Sequence, residues 1–465
     1  MSMMLAAHIT ALHTPSVENE RGHALREIQV TQRSRIGRGR NGIHAGAMSQ
    51  LGSLRLWRQP RRSHFHQAGL LVMLLWCTGV AHAQTGTVLP GIALTPIEAG
   101  GLTRIQAAPA QAASTSEKPP STYDRIWKFA EWYRDDSNPV VQRVVFTGRY
   151  QHEFTAIDAD QGDLDEWNLR RLRLGPRVTL FRAFTFHGEV ELNPQEADPF
   201  YVRLTDLYVQ WTRNARLSLT VGKHGVPFTV DGATSSKELL TIDRSNLANN
   251  VWFPQEYMPG VSVSGRRAAW TYRAGVYSSG EANRELGEFS GGVFTLGVLG
   301  YDFAKSLAAK EALLTGNYVY QHPDSDNTFT RQLEHIVSVN FRYEADRWGV
   351  RSDLSAAKGY LGQSDIWGMT AMPFVNATSN LQFVGRYTLL ESSDPNGVRL
   401  ATYENRVVAG RGDEYNELYV GANYYFYGHK LKMQSGVQFA DMNDSAADAG
   451  AYSGVSWTTG LRIGW

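Results

Sequence analysis

Three arginines in the stretch NLRRLRLGPRV (168–178) share one parity of the sequence. Arg171, Arg173 and Arg177 occupy odd positions, while leucines occupy the even positions 172 and 174. A repeat of two is typical of a β-strand, whose successive side chains point to opposite faces. A guanidinium is always charged and offers a planar fork of donors that matches carboxylate and phosphate oxygens. The stripe could therefore attract anions along one face of a strand.

These arginines belong to a long ladder of alternating segments. Between residues 140 and 465 we identify sixteen of them, and most have the roughly 9 to 11 residues with which a tilted strand crosses a bilayer. Some links are very short, such as Phe181-Arg182, whereas others are long, such as 224–259 and 391–413. An even strand number with short periplasmic turns and long external loops is typical of outer-membrane proteins. The sequence therefore predicts an all-β fold, an antiparallel sixteen-stranded transmembrane outer-membrane β-barrel.

Charge decides which face of each strand meets lipid. In the third segment Glu189 and Glu191 alternate with Val190 and Leu192, as the arginines alternate with leucines in the second. An arginine turned to lipid near the bilayer midplane would cost about 2 to 4 kcal/mol. We therefore expect the charged side chains to line a watery lumen and the apolar ones to face lipid.

The first 83 residues have the features of an export signal. An apolar run, AGLLVMLLWCTGV (68–80), follows four arginines and precedes Ala81-His82-Ala83, an A-x-A cleavage motif. Its thirteen residues fall short of the roughly 20 that a membrane-spanning helix needs. Because Met48 would begin a signal of ordinary length, we interpret 48–83 as the signal peptide. Residues 1–47 are then an extension from a start codon assigned too early.

Cleavage after residue 83 would change the chemistry available to the chain. It removes ten arginines, three acidic residues and Cys77, the single cysteine. The remaining 36 basic and 42 acidic side chains give a net charge near −6, which does not indicate a nucleic-acid-binding surface. Disulfides and cysteine metal sites are not available. We expect neither a cofactor nor a metal.

Two segments separate the predicted signal from the barrel. Residues 84–121 are rich in Ala, Pro, Thr, Ser and Gly, a composition that predicts a flexible linker. In residues 122–139 apolar side chains recur at helical spacing, which predicts a short periplasmic or interfacial helical segment. A frayed leader to the first strand is the alternative. The barrel then occupies residues 140–465.

Several stretches resemble the phosphate-selective porin O and P family. They are IWKFAEWYRDDSNPVVQRVVFTGRYQHEF (126–154), NLRRLRLGPRV (168–178), LYVQW (207–211), LTVGKHGVPF (219–228) and ELLTIDRSN (238–246). The resemblance implies a sixteen-stranded, trimeric outer-membrane porin through which small hydrophilic solutes and ions diffuse passively. The family name adds an anion or phosphate preference.

The resemblance also implies which residues line the pore. It makes the three arginines a basic stripe, and it makes loop 224–259 a segment that folds inward and brings Glu238 and Asp243 with its cations. Rings of charged side chains set ion selectivity in such pores. The phosphate-binding porins are lysine-rich at this point whereas this loop is mixed in charge, so general diffusion and anion capture both stay open. The predicted pore-lining residues are Arg149, Arg171, Arg173, Arg177, Lys223, Lys237, Arg244, Glu189 and Glu191.

Two other classes of function are the alternatives. A barrel lipase or protease would need a serine, a histidine and a carboxylate in contact, and His335 in the tenth segment has no serine in a nucleophile context. A structural or adhesive barrel with a closed lumen would fit eight strands, whereas sixteen normally leave a channel. The acidic stretch DADQGD (158–163) lacks the ligand pattern of an EF-hand and predicts a solvated external loop. We expect no enzymatic activity.

The chain ends in strict alternation at Trp465. A terminal aromatic residue is similar to the signal by which the β-barrel assembly machinery recognises outer-membrane proteins, although Phe is usual there. The expected partners are this machinery, outer-membrane lipid and lipopolysaccharide, further copies in a homotrimer, and small anionic or hydrophilic solutes. The expected location is the outer membrane of a Gram-negative-type bacterium.

Overall fold

The structure is a computed structural model that describes residues 120–196, 198–252, 256–281, 285–327 and 330–465. The predicted N-terminal extension, the signal peptide and nearly all of the linker lie outside these ranges. Within them, no helix has the length and apolar character needed to cross a membrane.

Sixteen long strands form one sheet in which each strand pairs antiparallel with the next. They are β1 (Val141–Ala159), β2 (Gly162–Leu180), β3 (Phe184–Leu192), β4 (Tyr201–Asn214), β5 (Leu217–Gly225), β6 (Tyr257–Arg267), β7 (Trp270–Ser278), β8 (Val293–Asp302), β9 (Glu311–Gln321), β10 (Leu333–Glu344), β11 (Trp348–Gly359), β12 (Ile366–Asn376), β13 (Leu381–Ser392), β14 (Glu414–Tyr427), β15 (Leu431–Asn443) and β16 (Tyr452–Gly464). Strand β16 pairs with β1, from Gly454 opposite Ala159 to Gly464 opposite Arg149, and closes the sheet. The predicted sixteen-stranded antiparallel barrel is confirmed.

The alternation of polarity follows the walls as predicted. On β14, Tyr419 is 2% exposed while its neighbour Val420 is 57% exposed. On β16 the outward side chains include Trp457, whereas Thr458 and Arg462 are buried on the inner side. Because an arginine on the inner face avoids lipid, this register is the only one compatible with a membrane. The barrel has an apolar outer surface and a polar interior.

The two ends of the barrel differ in their connections. One end has turns of two to four residues, such as 215–216 and 377–380, and one longer link, 303–310. The other end carries the long segments, among them 226–256 and 393–413. The exception is the link between β1 and β2, which is only Asp160–Gln161. The predicted external loop at 158–163 is exposed to solvent but shorter than expected, because both strands extend into it and Gly162, with φ of 146°, permits the tight turn.

The segment before β1 covers an edge that β16 leaves open. Helix α1 (Thr122–Trp127) is followed by a short 3-10 turn and by a four-residue strand, Glu131–Arg134, which pairs with residues 143–145 of β1. The indole of Trp127 donates a hydrogen bond to the Gly464 carbonyl oxygen at 2.7 Å. The helix is thus shorter than the predicted segment 122–139, because strand pairing takes over from residue 131.

Two of the long segments fold into the barrel. Segment 226–256 contains helix α2 (Asn246–Val251), and segment 393–413 contains helix α3 (Glu404–Val407) and a hairpin of Val398–Arg399 with Arg411–Gly412. Their apolar side chains form much of the core, including Phe228, Leu247 and Leu400, each at most 1% exposed. These two segments therefore partly fill the interior of the barrel.

Candidate solute channel

Side chains of the barrel wall hold segment 226–256 by its backbone. Lys432 donates to the Leu239 carbonyl oxygen at 2.8 Å, and Gln151 donates to that of Ser236 at 2.8 Å. Asp353 accepts a hydrogen bond from the Val230 amide at 2.7 Å. A buried segment without regular structure needs such partners, since an unpaired buried backbone group is costly. Inward-facing polar residues on distant strands therefore fix the constriction loop, residues 226–256.

The predicted arginine stripe lies on the inner wall but is buried and paired. Arg171 donates to Gln151 at 3.0 Å, and its guanidinium lies 3.8 Å from the Glu256 carboxylate. Arg173 contacts Glu191 at 3.3 Å and Glu256 at 3.8 Å, and it donates to the Tyr257 hydroxyl at 2.6 Å. These two side chains join the wall to the constriction loop. Arg177 is half-buried and lies opposite His187 in the β2–β3 register.

The other predicted residues are also engaged. Arg149 pairs with Glu189 at 3.1 Å and donates to Ser236 at 2.8 Å. Lys223 donates to the Glu285 carbonyl oxygen at 2.5 Å, and Lys237 donates to that of Trp465 at 2.8 Å. Arg244 lies 3.5 Å from Glu256 and stacks over the Trp252 ring at 4.6 Å.

A cavity of about 290 Å³ lies beside the constriction loop. Of the nine predicted pore-lining residues, only Arg171 and Arg244 line it. Its ionisable lining is Arg170, Arg171, Arg203, Arg244, Arg331, Arg386, Asp243, Glu256, Tyr403, Glu404 and Tyr419. The cavity therefore lies farther toward the loop ends of the strands than most of the predicted stripe.

Arg170 reaches the cavity through a β-bulge. The register passes from Gln151 opposite Arg171 to His152 opposite Leu169, so Arg170 has no partner on β1. A bulge of this kind re-aims side chains, and Arg170 contacts Asp243 at 3.3 Å. Alternation alone would place Arg170 on the outer face, and no feature of the local sequence predicts the bulge.

The remaining cavity residues were missed for different reasons. Arg386 lies on β13 with the inward parity, so alternation could have identified it. Arg203 has the opposite parity to the inward Asp206 on β4, and it reaches the interior through a second bulge, where the register passes from Glu189 opposite Asp206 to Val190 opposite Leu204. Arg331, Glu256 and Glu404 lie on segments that lack a repeat, so only the folded structure shows that they meet.

Burial and neighbouring charges set the ionisation of the loop acids in opposite directions. Burial alone would raise the pKa of Glu256, but Arg244, Arg173 and Arg171 surround it and hold that pKa well below its usual range. Burial raises the pKa of Glu404 to about 7, and the nearby charge of Glu417 acts in the same direction. Glu256 is therefore a permanent anion, whereas Glu404 changes charge near neutral pH.

Hydrolytic and metal chemistry find little support among the described residues. His335 hydrogen-bonds Tyr318 at 2.8 Å on the outer side of the barrel. The Ser262 hydroxyl is 2.9 Å from His224, but both are buried and His224 hydrogen-bonds a backbone oxygen, that of Gly222, in place of a carboxylate. In the described ranges no three His, Cys, Asp or Glu side chains are placed to hold a metal ion.

A closed sixteen-stranded barrel with an apolar exterior, a polar interior and an inward constriction loop defines an outer-membrane porin. The model of the family described as phosphate-selective porin O and P matches residues 144–352, from β1 into β11. This match confirms the resemblance of the sequence to that family.

The chain is similar to several solved outer-membrane structures at low sequence identity. OmpF of Salmonella typhi, in a complex with daunomycin, is 10% identical with a TM-score of 0.50, covering 72% of this chain and 100% of OmpF. An anion-selective porin from Comamonas acidovorans is 12% identical with a TM-score of 0.49, covering 69% of this chain and 99% of its own. The outer membrane channel DcaP of Acinetobacter baumannii is 11% identical with a TM-score of 0.48, covering 72% and 99%. No curated protein matches the chain by sequence.

Proposed function

We propose that this porin prefers small hydrophilic anions, phosphate among them, and that the preference arises at the cavity beside the constriction loop. The supporting observation is the lining of the cavity, where six arginines oppose three acidic side chains, Asp243, Glu256 and Glu404. Fixed cations lower the cost for an anion to leave bulk water, and nearby carboxylates keep its binding weak enough for it to leave again.

The predicted stripe has a different part in this proposal. Arg149, Arg173, Glu189 and Glu191 neutralise one another in the wall, so they position the constriction loop more than they attract ions. Arg171, Arg203 and Arg244 form the border between that wall and the cavity. Lys223 and Lys237 act through the backbone carbonyls that they bind.

The remaining parts of the proposal concern assembly. A homotrimer is inferred from the family resemblance. Trp465 would be read by the β-barrel assembly machinery, the apolar outer band would contact lipid and lipopolysaccharide, and residues 48–83 would direct export. A passive channel of this kind needs no enzymatic step.

Single-channel recording in a planar bilayer across a KCl gradient tests the proposed function. We expect discrete conductance steps, an anion-selective reversal potential and a reduced chloride current when phosphate is added. A cation-selective reversal potential from correctly folded protein would contradict the proposed preference. Conductance steps whose size does not change when phosphate is added would show that phosphate is not among the preferred anions.

A further inference from the structure

Three arginines on the loops beside the cavity differ from the other arginines there. Arg331 lines the cavity, whereas Arg399 and Arg411 lie in the small hairpin, whose chain continues into the lining residues Ala401 and Thr402. Arg170, Arg171, Arg203, Arg244 and Arg386 each lie within 4 Å of a described carboxylate. Across the described part of the chain, no carboxylate lies that close to the loop arginines, Arg331, Arg399 and Arg411. The hydrogen bonds of their side chains are weak and neutral: Arg331 to Asn249 at 3.4 Å and Arg411 to Gln363 at 3.2 Å.

Hydrogen bonds connect these three arginines: Arg331 donates to Asn249, and Asn249 donates to the carbonyl oxygen of Leu400, the residue after Arg399. Arg399 and Arg411 are directly opposite each other in the small hairpin, an arrangement that is destabilising for like charges. Burial, followed by the charges of Arg399 and Arg411, lowers the pKa of Arg331 to about 9. The Nε atom of Arg331 is buried and has no hydrogen-bond partner. A cluster of cations without counter-charges is the electrostatic environment that an anion would complete.

Helix α2 of the constriction loop fixes the backbone around this cluster. Asn250 donates to the Arg399 carbonyl oxygen at 3.0 Å and accepts from the Arg399 amide at 2.9 Å. Asn246 donates to the same carbonyl oxygen at 2.8 Å. Arg331 adopts a left-handed φ of 55°, and such strain in a non-glycine residue is typical of functional sites. The cluster is therefore built into the fold at the loop end of the constriction.

The surroundings of Arg331 indicate what kind of anion fits. Arg331 lines the cavity together with the Trp252 ring, Ala401 and Thr402. A water molecule occupies about 30 Å³ of liquid, so the 290 Å³ of the cavity exceed what a bare tetrahedral oxyanion needs. There is room for a short hydrocarbon body beside the charged groups.

From these observations we infer that Arg331, Arg399 and Arg411 form a binding site for a small organic acid with two or more carboxylates, whose body lies in the cavity against Trp252. This inference rests on the proposed anion preference and names the class of solute. The guanidiniums would bind carboxylate oxygens, and the open cavity would let the acid pass on toward Arg171 and Arg244.

Isothermal titration calorimetry on the purified full chain in detergent tests the inference with four probes: glutarate, succinate, acetate and phosphate. We expect the dicarboxylates to bind at least tenfold more tightly than acetate and several-fold more tightly than phosphate. Substituting Arg331→Gln or Arg399→Gln should weaken dicarboxylate binding about tenfold, the effect of losing one charged contact. Phosphate binding as tight as that of glutarate would overturn the organic-acid assignment.

Arg351→Gln is the matched control, because it also removes one inward arginine but lies near the short-turn end, 2.8 Å from Glu311. An equal loss of dicarboxylate affinity in Arg351→Gln would show that any positive charge inside the barrel favours binding, and it would overturn the proposed site. The single substitutions are tested separately from a triple variant, and circular dichroism checks that each folds. Calorimetry measures binding without conduction. A porin that fails to show anion preference in bilayers can therefore still be tested for dicarboxylate binding, and the two failures can be told apart.

Discussion

Arginines on the two sides of the constriction differ in whether a carboxylate lies beside them. Around Glu256, three arginines from two elements share one buried carboxylate at 3.5 to 3.8 Å, and this Glu256 network joins the wall to the constriction loop. The loop arginines have no such partner within the described ranges, although the fold brings them together. We propose that arginines in the first region stabilise the pore and that those in the second bind a solute.

The arginine-rich strand β2 belongs to the paired region. Arg171 and Arg173 are at most 4% exposed, and a buried charge is tolerated mainly when it is paired. A conspicuous charged stripe is therefore weak support for a selectivity filter. In our proposal, the cations that bind a solute are those that nearby carboxylates do not neutralise.

Removing the central acid of the Glu256 network should give the largest effect. The substitution Glu256→Gln leaves Arg171, Arg173 and Arg244 without that counter-charge, and breaking a buried ion pair typically costs about 3 to 5 kcal/mol. We expect a strongly lowered midpoint of denaturant unfolding and a noisier, larger conductance as the constriction loop loosens. Unfolding in detergent, followed by intrinsic fluorescence, gives the first quantity.

The exposed pair of Glu131 and Arg143, at 3.2 Å, supplies the matched control. The substitution Glu131→Gln should cost between about 0 and 1 kcal/mol, as exposed ion pairs do. Equal losses in the two variants would show that the Glu256 network has no special structural part, and the contrast between the two regions would fail.

Because Glu404 lines the cavity, we expect the preference of the channel for anions to depend on pH. Its pKa of about 7 leaves the side chain neutral below that pH and negative above it, so the preference for anions should fall as pH rises from 6 to 8. A charge roughly 8 Å from the ion path in water is worth about 0.5 kcal/mol, or roughly twofold in the permeability ratio. Reversal potentials at the two pH values measure this change.

The variant Glu404→Gln should lose most of that response. Some should persist, because burial lowers the pKa of Lys237 to about 7 and raises that of Glu238 to about 7, and both changes reduce the positive charge at higher pH. The raised pKa of Glu404 also means that the folded state binds its proton more tightly than the unfolded chain. Its stability contribution is complete at acidic pH and is lost as pH rises through about 7. An unchanged pH response in Glu404→Gln would remove this residue from the channel.

The barrel was predictable from the sequence because its physics is periodic. A repeat of two, one charged parity and alternating long and short links are enough to give sixteen strands and their inner faces. The ends of the strands were less predictable, as Asp160–Gln161 shows, because a tight turn at Gly162 can replace a loop of polar residues.

The channel was only partly predictable because its lining comes from segments without a repeat. Two of the predicted residues, Arg171 and Arg244, line the cavity, but the contact of Arg244 with Glu256 depends on the path of the constriction loop. The bulge at Arg170 reverses a side chain without any local signal. Charged side chains from distant strands and loops pair across the lumen, and this pairing decides which charges remain free. The alternation of residues along the sequence does not reveal these pairs.

The smallest expected effect is a gain in stability from the loop arginines. Since Arg399 and Arg411 are opposite each other without a described carboxylate, the substitution Arg399→Gln removes a like-charge pair, which should raise stability by about 0.2 to 1 kcal/mol. The same substitution is expected to weaken dicarboxylate binding, so stability and binding should change in opposite directions. Denaturant unfolding with and without glutarate measures both changes. Without glutarate the variant should have a higher free energy of unfolding than the parent, and added glutarate should raise that free energy less in the variant. A variant that is less stable than the parent without ligand would show that Arg399 has a structural partner after all, and the distinction between paired and available arginines would no longer hold at this hairpin.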